Sequence, residues 1–213
     1  MKLERIGLIG YGEVGKIFCA GLLKQPGVTG VGAWDLKFAQ AATQATERAH
    51  AAQAGIDAHS CMQALCEDSE LILSAVTASA TLAVAQEAAA FIRPGTIFLD
   101  LNSASPGTKQ QAATLIEAAG GHYVEAGVMT SVPPYGIKVP MLLGGVRATA
   151  LARALTDWGM DAKVVSDRIG VASAIKMCRS VMIKGLEALV IESYSTARAY
   201  GVEDHVLPTL QET

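Results

Sequence analysis

Five polar residues recur at intervals of three or four in an otherwise apolar, helix-like stretch near the carboxyl end of the chain. They are Ser173, Lys176, Ser180, Lys184 and Glu187, and this spacing places them along one side of a helix. A lysine that is half-buried on such a side can have its pKa lowered towards neutrality and act as a general acid or base. An ordinary solvated helix face has the same spacing, so the residues alone leave both interpretations open.

A second candidate is the stretch RIGLIGYGEVGKIF, in which Gly10, Gly12 and Gly15 have the spacing G-x-G-x-x-G. An apolar run precedes these glycines and a helical pattern follows them, which is typical of a strand–turn–helix unit that binds a dinucleotide. The first glycine allows a tight turn, the second lets a pyrophosphate approach the backbone, and the third lets the helix pack on the strand. The helix N-terminus then offers N–H groups to the phosphates. No Lys-Ser or Lys-Thr pair follows, which disfavours a loop for nucleoside triphosphates.

Asp35 ends the second predicted strand, beyond the glycine loop. A carboxylate at this point can accept hydrogen bonds from the ribose hydroxyls of NAD, and it repels the 2′-phosphate of NADP. The sequence therefore favours NAD, with NADP possible because Lys37 lies two residues further on. The alternative is that Asp35 only caps the next helix.

Two further loops, AVTASA and DLNSASP, follow the fourth and fifth predicted strands and should face the same crevice. Val76 and Thr77 of the first loop are candidates to contact the ribose or nicotinamide side of a cofactor. In the second loop, Ser105 has the residue type and position of a helix cap, which accounts for it without any function. Capping does not account for Asn102 and Ser103, which crowd the end of the strand.

Apolar β-like runs alternate with alanine-rich helical stretches along the chain, which predicts an α/β fold with a doubly wound, Rossmann-type, mostly parallel sheet. The predicted strands are Ile6–Ile9, Val28–Trp34, a short one near Ile56, Leu71–Ala75, Thr96–Leu99, Tyr123–Ala126, Met141–Leu143 and Lys163–Val165. The predicted helices are Val14–Leu23, Phe38–Ala54, Met62–Cys66, Leu82–Phe91, Pro106–Ala119 and Leu151–Trp158.

From Ile169 onward the pattern changes to a single helix of about 30 residues, roughly 45 Å long. We therefore expect a dinucleotide-binding domain over residues 1–166, and the long helix with whatever follows it over residues 167–213. This helix is apolar around much of its girth, so a further helical domain or a second subunit should cover it. A homodimer through this helix is one expected arrangement.

Composition excludes several classes of partner. The net charge is −3 and no basic run occurs, which disfavours nucleic acid and anionic membrane surfaces. No apolar stretch reaches the roughly 20 residues that a membrane helix needs. The histidines have no ligand spacing, so no metal site is expected. The cysteines lack a C-x-x-C pair and lie in helix-like apolar patterns, which predicts reduced, buried thiols and a cytoplasmic protein; they are Cys19, Cys61, Cys66 and Cys178.

Three segments in this order carry a family resemblance: GLIGYGEVG near the amino terminus, then DLNSASP, then GVASAIKMCRS. The second is similar to D-x-S-T-x-x-P and the third to G-x-x-x-x-x-K-x-x-x-N, both of which are motifs of the β-hydroxyacid dehydrogenase family. That family includes 3-hydroxyisobutyrate and 6-phosphogluconate dehydrogenases. The stretch YVEAGVMTSVPPYGIKVPMLLGG also stands where the family has its D-A-P-V-S-G-G run. The chain resembles this family over nearly its whole length.

The resemblance implies an NAD(P)-binding Rossmann domain joined by a long interdomain helix to an all-helical domain, of which this chain holds the beginning. It implies an enzyme that oxidises hydroxy acids or reduces the corresponding semialdehydes. The family's catalytic lysine falls on Lys176, and the asparagine four residues later falls on Ser180. Because Ser180 and Met129 depart from the family's residue types, the resemblance also implies an altered pocket. The candidate substrate-binding residues are Asn102, Ser103, Met129, Thr130 and Ser131.

The sequence thus predicts an NAD(P)-dependent oxidoreductase acting on a small hydroxy acid or its carbonyl partner, with Lys176 as general acid or base. An imine reductase of the same architecture and a catalytically silent dinucleotide-binding module are the alternatives. The candidate cofactor-binding residues are Gly10, Tyr11, Gly12, Glu13, Val14, Gly15, Asp35, Val76, Thr77 and Asn102.

Overall fold

The computed structural model describes residues 3–211, and the strands of this part of the chain form one eight-stranded sheet. The apolar runs seen in the sequence all become strands. Their bounds are β1 (Arg5–Ile9), β2 (Gly30–Trp34), β3 (Asp57–Ala58), β4 (Leu71–Ser74), β5 (Ile97–Asp100), β6 (His122–Val128), β7 (Met141–Gly144) and β8 (Ala162–Ser166).

Helices connect most of these strands. They are α1 (Glu13–Leu22), α2 (Gln44–Gln53), α3 (Met62–Asp68), α4 (Thr81–Ala89), α5 (Pro106–Ala118), α6 (Ala148–Asp157), α7 (Val171–Tyr200) and α8 (Glu203–Gln211). Short 3-10 turns occupy Leu36–Phe38, Ala78–Ala80 and Gly136–Lys138.

The sheet has the strand order β3-β2-β1-β4-β5-β6-β7-β8. Every neighbouring pair is parallel except β6 with β7, which confirms the predicted mostly parallel, doubly wound sheet. The chain order reverses between β1 and β4, and ligands of such sheets bind at the carboxyl ends of the strands on either side of the reversal. The glycine loop follows β1, so it lies at this point.

Buried apolar residues on both faces explain why these segments form central strands. All four residues of β4 and all four of β5 are buried, as expected where helices cover both faces. Leu8 of β1 and Phe18 of α1 are fully buried in the same core. The carboxyl ends of the central strands are therefore fixed in position by packing.

Two expectations about local structure are wrong. The helix predicted over Phe38–Ala54 begins only at Gln44, because Asp35 caps a 3-10 turn over Leu36–Phe38 and a turn follows it. The thiols of Cys61 and Cys178 are exposed, whereas only Cys19 and Cys66 of the described residues are buried as predicted.

The chain divides into two compact units, Met1–Ile175 and Lys176–Thr213. The first unit holds the sheet, α1–α6 and the first turn of α7, and the second holds the rest of α7 together with α8. The boundary predicted after residue 166 stays a prediction. Among the described residues, none of the helices has the length and apolarity to cross a membrane.

Candidate functional site

The three glycines of the loop after β1 meet very different surroundings. Gly10 has a φ of +100°, and a Cβ added to it would lie 2.3 Å from the Ala75 carbonyl oxygen. A Cβ on Gly15 would lie 1.9 Å from the Gly10 carbonyl oxygen, whereas a Cβ on Gly12 would meet no atom within 4 Å. Gly10 and Gly15 are therefore required by packing within the chain, and Gly12 leaves an opening beside the loop.

This opening lies at the N-terminus of α1 and suits a pyrophosphate. Gly12 is the N-cap residue and supplies no side-chain cap, while α1 begins at Glu13. The first N–H groups of a helix have no partner within the helix, and the helix dipole favours an anion there. The Glu13 side chain is exposed and Val14 is half-buried. The residues present thus fit the phosphates of a dinucleotide.

Tyr11, which belongs to the predicted cofactor-binding set, has a buried side chain. Its ring is buried and packs against Phe38, with ring centroids 5.3 Å apart, and its hydroxyl lies 3.0 Å from Nδ1 of His50. Burial raises the pKa of Tyr11 to about 12. In this conformation the Tyr11 side chain anchors the loop to α2, and only its backbone borders the opening.

Asp35 links the end of β2 to the glycine loop. Its Oδ2 accepts a hydrogen bond of 2.7 Å from the Tyr11 N–H, and its Oδ1 accepts one of 2.9 Å from the Lys37 N–H. The second bond caps the 3-10 turn, as the simpler interpretation of the sequence anticipated. The first bond holds the carboxylate against the loop, so its negative charge has a fixed place at the end of β2.

Asn102 joins the ends of β4 and β5. It is buried, and its Oδ1 accepts a 2.7 Å hydrogen bond from the Val76 N–H while its Nδ2 donates to the Ser74 hydroxyl at 2.9 Å. Its own N–H donates to Oδ1 of Asp100 at 2.8 Å. These bonds bring Val76 and Asn102 together, and they use most of the Asn102 amide to shape the crevice.

The candidate substrate- and cofactor-binding residues that carry hydroxyl groups lie on the surface of the first unit. Thr77 and Ser103 are exposed in the loops after β4 and β5, and Thr130 and Ser131 are exposed in the loop after β6. Met129 is half-buried, and its N–H donates to the Pro140 carbonyl at 2.9 Å. These loops all follow carboxyl ends of parallel strands, the edge at which such sheets bind ligands.

Lys176 and Ser180, the candidate catalytic residues, lie in the second unit. Both are half-buried and stand four residues apart on α7, so they share one side of that helix. Lys184 is exposed on the same helix.

No group of three or more histidine, cysteine or acidic residues in the described part of the chain could hold a metal ion.

The structure also contains a buried charged cluster that the sequence analysis missed. The Lys109 ammonium, fully buried, lies 2.9 Å from Oδ1 of Asp100 and donates to the Asp100 carbonyl at 2.8 Å. The Tyr123 hydroxyl donates to Oδ2 of the same carboxylate. Burial lowers the pKa of Lys109, and the carboxylates of Asp100 and Glu125 oppose that shift. Burial also raises the pKa of Tyr123, with the charge of Asp100 as the next cause.

Glu125 extends this cluster to the start of α7. Its Oε1 accepts hydrogen bonds from the N–H groups of Gly170 at 2.7 Å and Ala172 at 2.9 Å. Its Oε2 accepts from the Ser173 hydroxyl at 2.8 Å and, more weakly, from the Ser173 N–H at 3.4 Å. The signal in the sequence was a single acidic residue within the apolar strand HYVEAGV, a position where a charge needs partners.

The doubly wound sheet and the open glycine loop define a Rossmann-type dinucleotide-binding domain. Residues 5–135 match the family described as the NAD binding domain of 6-phosphogluconate dehydrogenase, and the chain belongs to that family. The family resemblance found in the sequence is thereby confirmed, and the chain is an NAD(P)-binding member of an oxidoreductase family.

Several solved structures are similar to this chain. A conserved hypothetical protein from Sinorhizobium meliloti is 40% identical, with a TM-score of 0.85 over 100% of this chain and 70% of that one. The conserved protein MTH1747, of unknown function and with structural similarity to 3-hydroxyacid dehydrogenases, is 32% identical, with a TM-score of 0.79 over 98% of this chain and 76% of that one. An imine reductase variant from Myxococcus stipitatus in complex with NAD+ shares the fold, at 21% identity and a TM-score of 0.80 over 100% of this chain and 72% of that one.

Proposed function

We propose that this protein is an NAD(H)-dependent oxidoreductase that acts on a small hydroxy acid or its carbonyl partner. The observation that most supports the cofactor is the opening at Gly12, which lies at the N-terminus of α1 and where an added Cβ would meet no described atom within 4 Å. The nicotinamide cofactor supplies or accepts the hydride when it is bound. The protein then has to hold the cofactor and the substrate and to move a proton.

The fixed carboxylate of Asp35 supports NAD(H) over NADP(H). A 2′-phosphate near this group would meet a negative charge that two backbone N–H bonds prevent from moving away. Two nearby cations have other partners: Arg48 donates to the carbonyls of Phe38, Ala58 and His59, and Lys16 pairs with Glu47 at 2.8 Å. Neither is therefore readily available to a 2′-phosphate.

Lys176 is proposed as the general acid or base. An amine at this position would take the hydroxyl proton as the hydride leaves the substrate, and it would return the proton in the reduction. The support is its place on the polar side of α7 and its match to the family's catalytic lysine. Ser180, four residues later, is proposed to assist it on the same side of the helix.

Binding of the substrate is assigned to the loops after β5 and β6. Ser103, Thr130 and Ser131 are exposed in these loops, and their hydroxyls are proposed to hydrogen-bond to a ligand. The amide of Asn102, which bonds to Ser74 and Val76, shapes the crevice beside them. Met129 adds an apolar wall where the family has a small polar residue, which suits a substrate with an apolar part.

A homodimer through α7 is part of the same proposal. Within the second unit, α7 exposes large apolar side chains over much of its length, including Val181, Met182, Leu186 and Leu189. Contiguous exposed patches of this kind are rare on monomeric proteins. Light scattering of the purified chain measures its molar mass and so distinguishes a dimer from a monomer.

The test of the cofactor site is the substitution Gly12→Asp. Aspartate is a good N-cap residue, so it should preserve the stability of α1, and the structure leaves room for its Cβ. Its charge would occupy the place proposed for the phosphates. We expect the NADH affinity, measured by fluorescence titration, to fall by about a hundredfold or more, while thermal unfolding stays near that of the wild type.

The matched control is Gly107→Asp, which adds the same charge in the first turn of α5, where a Cβ also meets open space. This variant should bind NADH like the wild type. If Gly12→Asp also bound NADH with wild-type affinity, the glycine loop would not be the cofactor site.

A further inference from the structure

Asp100 and Glu125 form a pair of buried carboxylates on adjacent strands. They are direct partners in the parallel register of β5 and β6, and each is fully buried. Two uncompensated carboxylates in such a place would be strongly unfavourable. The buried Lys109 ammonium pairs with Asp100, and Glu125 is compensated by the hydrogen-bond donors at the start of α7.

The two carboxylates bind different parts of the chain. Asp100 accepts from the backbone of Asn102, and Asn102 in turn holds the loop after β4. Glu125 accepts hydrogen bonds from the segment that starts α7, through Gly170, Ala172 and Ser173. The cluster therefore links the loops after β4 and β5 to the first turn of α7 within the first unit.

The bonds of Glu125 are of a kind that fixes a helix firmly. A carboxylate at a helix N-terminus is stabilised both by charge-assisted hydrogen bonds and by the helix dipole. Glu125 lies on β6, a strand with partners on both sides, so the group that anchors the helix cannot shift easily. A Cβ on Gly144 would lie 2.7 Å from Oε1 of Glu125, so the neighbouring strand also fits closely against this side chain.

We propose that Glu125 is a positioning residue that fixes the first turn of α7, the helix that also carries Lys176 three residues after Ser173. The catalytic part of this inference rests on the proposed function of Lys176. Glu125 itself touches no substrate, and it acts through the helix that it anchors.

The test compares Glu125→Gln with Tyr123→Phe. Glutamine keeps the shape of the side chain but carries no charge. Its amide NH₂ group replaces a carboxylate oxygen, and a donor then faces the Ser173 N–H, which is itself a donor. Tyr123→Phe removes a hydrogen bond from the same cluster and the same strand without touching α7. Should Glu125→Gln fail to fold, Ser173→Ala replaces it, because it removes the hydroxyl that bonds to Glu125 and to the Gly170 carbonyl and leaves the backbone bonds of Glu125 in place.

The first readout is hydrogen–deuterium exchange at the amides of residues 171–176, which needs no substrate. We expect exchange there to be faster by about tenfold or more in Glu125→Gln, and unchanged in Tyr123→Phe. Equal exchange in Glu125→Gln and the wild type would overturn the inference.

The second readout is steady-state kinetics on a substrate found for the wild type. We expect kcat of Glu125→Gln to fall by about tenfold or more, with KM and NADH affinity within about threefold, because misplaced catalytic groups lose rate rather than binding. An equal loss in Tyr123→Phe would mean that the cluster only stabilises the fold, and would overturn the catalytic part. If the wild type turns over no compound, the proposed function fails, and the exchange experiment still decides whether Glu125 anchors α7.

Discussion

At the scale of single residues, Asp35 shows how capping and cofactor selection can rest on one side chain. Its Oδ2 accepts a hydrogen bond from the Tyr11 N–H, and its Oδ1 accepts one from the Lys37 N–H. The bond from Lys37 alone would satisfy a cap. The bond from Tyr11 spans the gap between β2 and the glycine loop, and it fixes the charge where a ribose would lie.

We predict that Asp35→Asn narrows the preference for NADH over NADPH. Removing the charge relieves the repulsion of a 2′-phosphate, so the ratio of the two dissociation constants should change by about tenfold. Fluorescence titration with both cofactors measures this ratio, which is insensitive to a general loosening of the loop. Glu117→Gln, the same change of charge on the exposed side of α5, should leave the ratio as it is; a ratio unchanged in Asp35→Asn would exclude the carboxylate as the selecting group.

Local residue types predicted the glycines and Asp35, but they could not predict the contacts of Asn102 or Glu125. The spacing of Gly10, Gly12 and Gly15 follows from a local turn, which a short stretch of sequence determines. The bonds of Glu125 go to residues 45 to 48 positions away, and they depend on the register of the whole sheet. The packing of the Tyr11 ring against Phe38 likewise does not follow from the place of Tyr11 in the glycine loop.

At the scale of elements, the close packing of α1 on the end of β1 depends on Gly15. We predict that Gly15→Ala lowers the free energy of unfolding by about 1–3 kcal/mol, the usual cost of overpacking. The reason is that a Cβ would lie 1.9 Å from the Gly10 carbonyl, an atom that cannot move without displacing the loop. Urea unfolding followed by circular dichroism measures the change. Gly107→Ala adds a methyl group in open space on α5 and should not lower the stability; a Gly15→Ala variant as stable as the wild type would contradict the packing described here.

The strands were more predictable than the ends of the helices. All eight predicted strands are present. The pattern is clearest for β4 and β5, because a strand buried on both faces must be a short apolar run. The predicted start of α2 was wrong because the Asp35 carboxylate accepts a bond from the Lys37 N–H and caps a 3-10 turn. The Thr43 hydroxyl also donates to the Lys37 carbonyl, before the helix begins at Gln44. Local residue types give no bounds for α8, which contains Pro208, because proline argues against a helix interior.

At the scale of the whole molecule, we predict that stability falls as the pH rises from 9 towards 12. Burial raises the pKa of both Cys19 and Cys66 from 9.0 to about 12, so these thiols stay protonated in the folded state and ionise first in the unfolded state. The unfolded state then binds fewer protons, and each thiol lowers the free energy of unfolding by up to about 1.4 kcal/mol per pH unit in this window. The lowered pKa of Lys109 has the opposite effect on the free energy of unfolding, because below pH 10.5, the ordinary pKa of a lysine, the unfolded state binds this proton more readily than the folded state.

The contribution of a single thiol is measured with Cys19→Ala. Chemical unfolding at several alkaline pH values should show a shallower loss of stability in this variant than in the wild type. Cys178→Ala removes an exposed thiol and should retain the wild-type slope. Identical slopes for all three proteins would mean that buried thiols do not determine the alkaline stability.

The most direct test of the proposed function is turnover by Lys176→Ala and Lys184→Ala, followed by the absorbance of the reduced nicotinamide. The panel contains hydroxy acids with NAD+, and the corresponding carbonyl compounds and cyclic imines with NADH. We expect the wild type to turn over a hydroxy acid or its carbonyl partner, and kcat of Lys176→Ala to be lower by about 10²–10⁴. The kcat of Lys184→Ala should stay within about threefold of the wild-type kcat, and the affinity for NADH should be the same in all three proteins. Wild-type turnover by Lys176→Ala, or turnover of the imines alone, would contradict the function proposed for this protein.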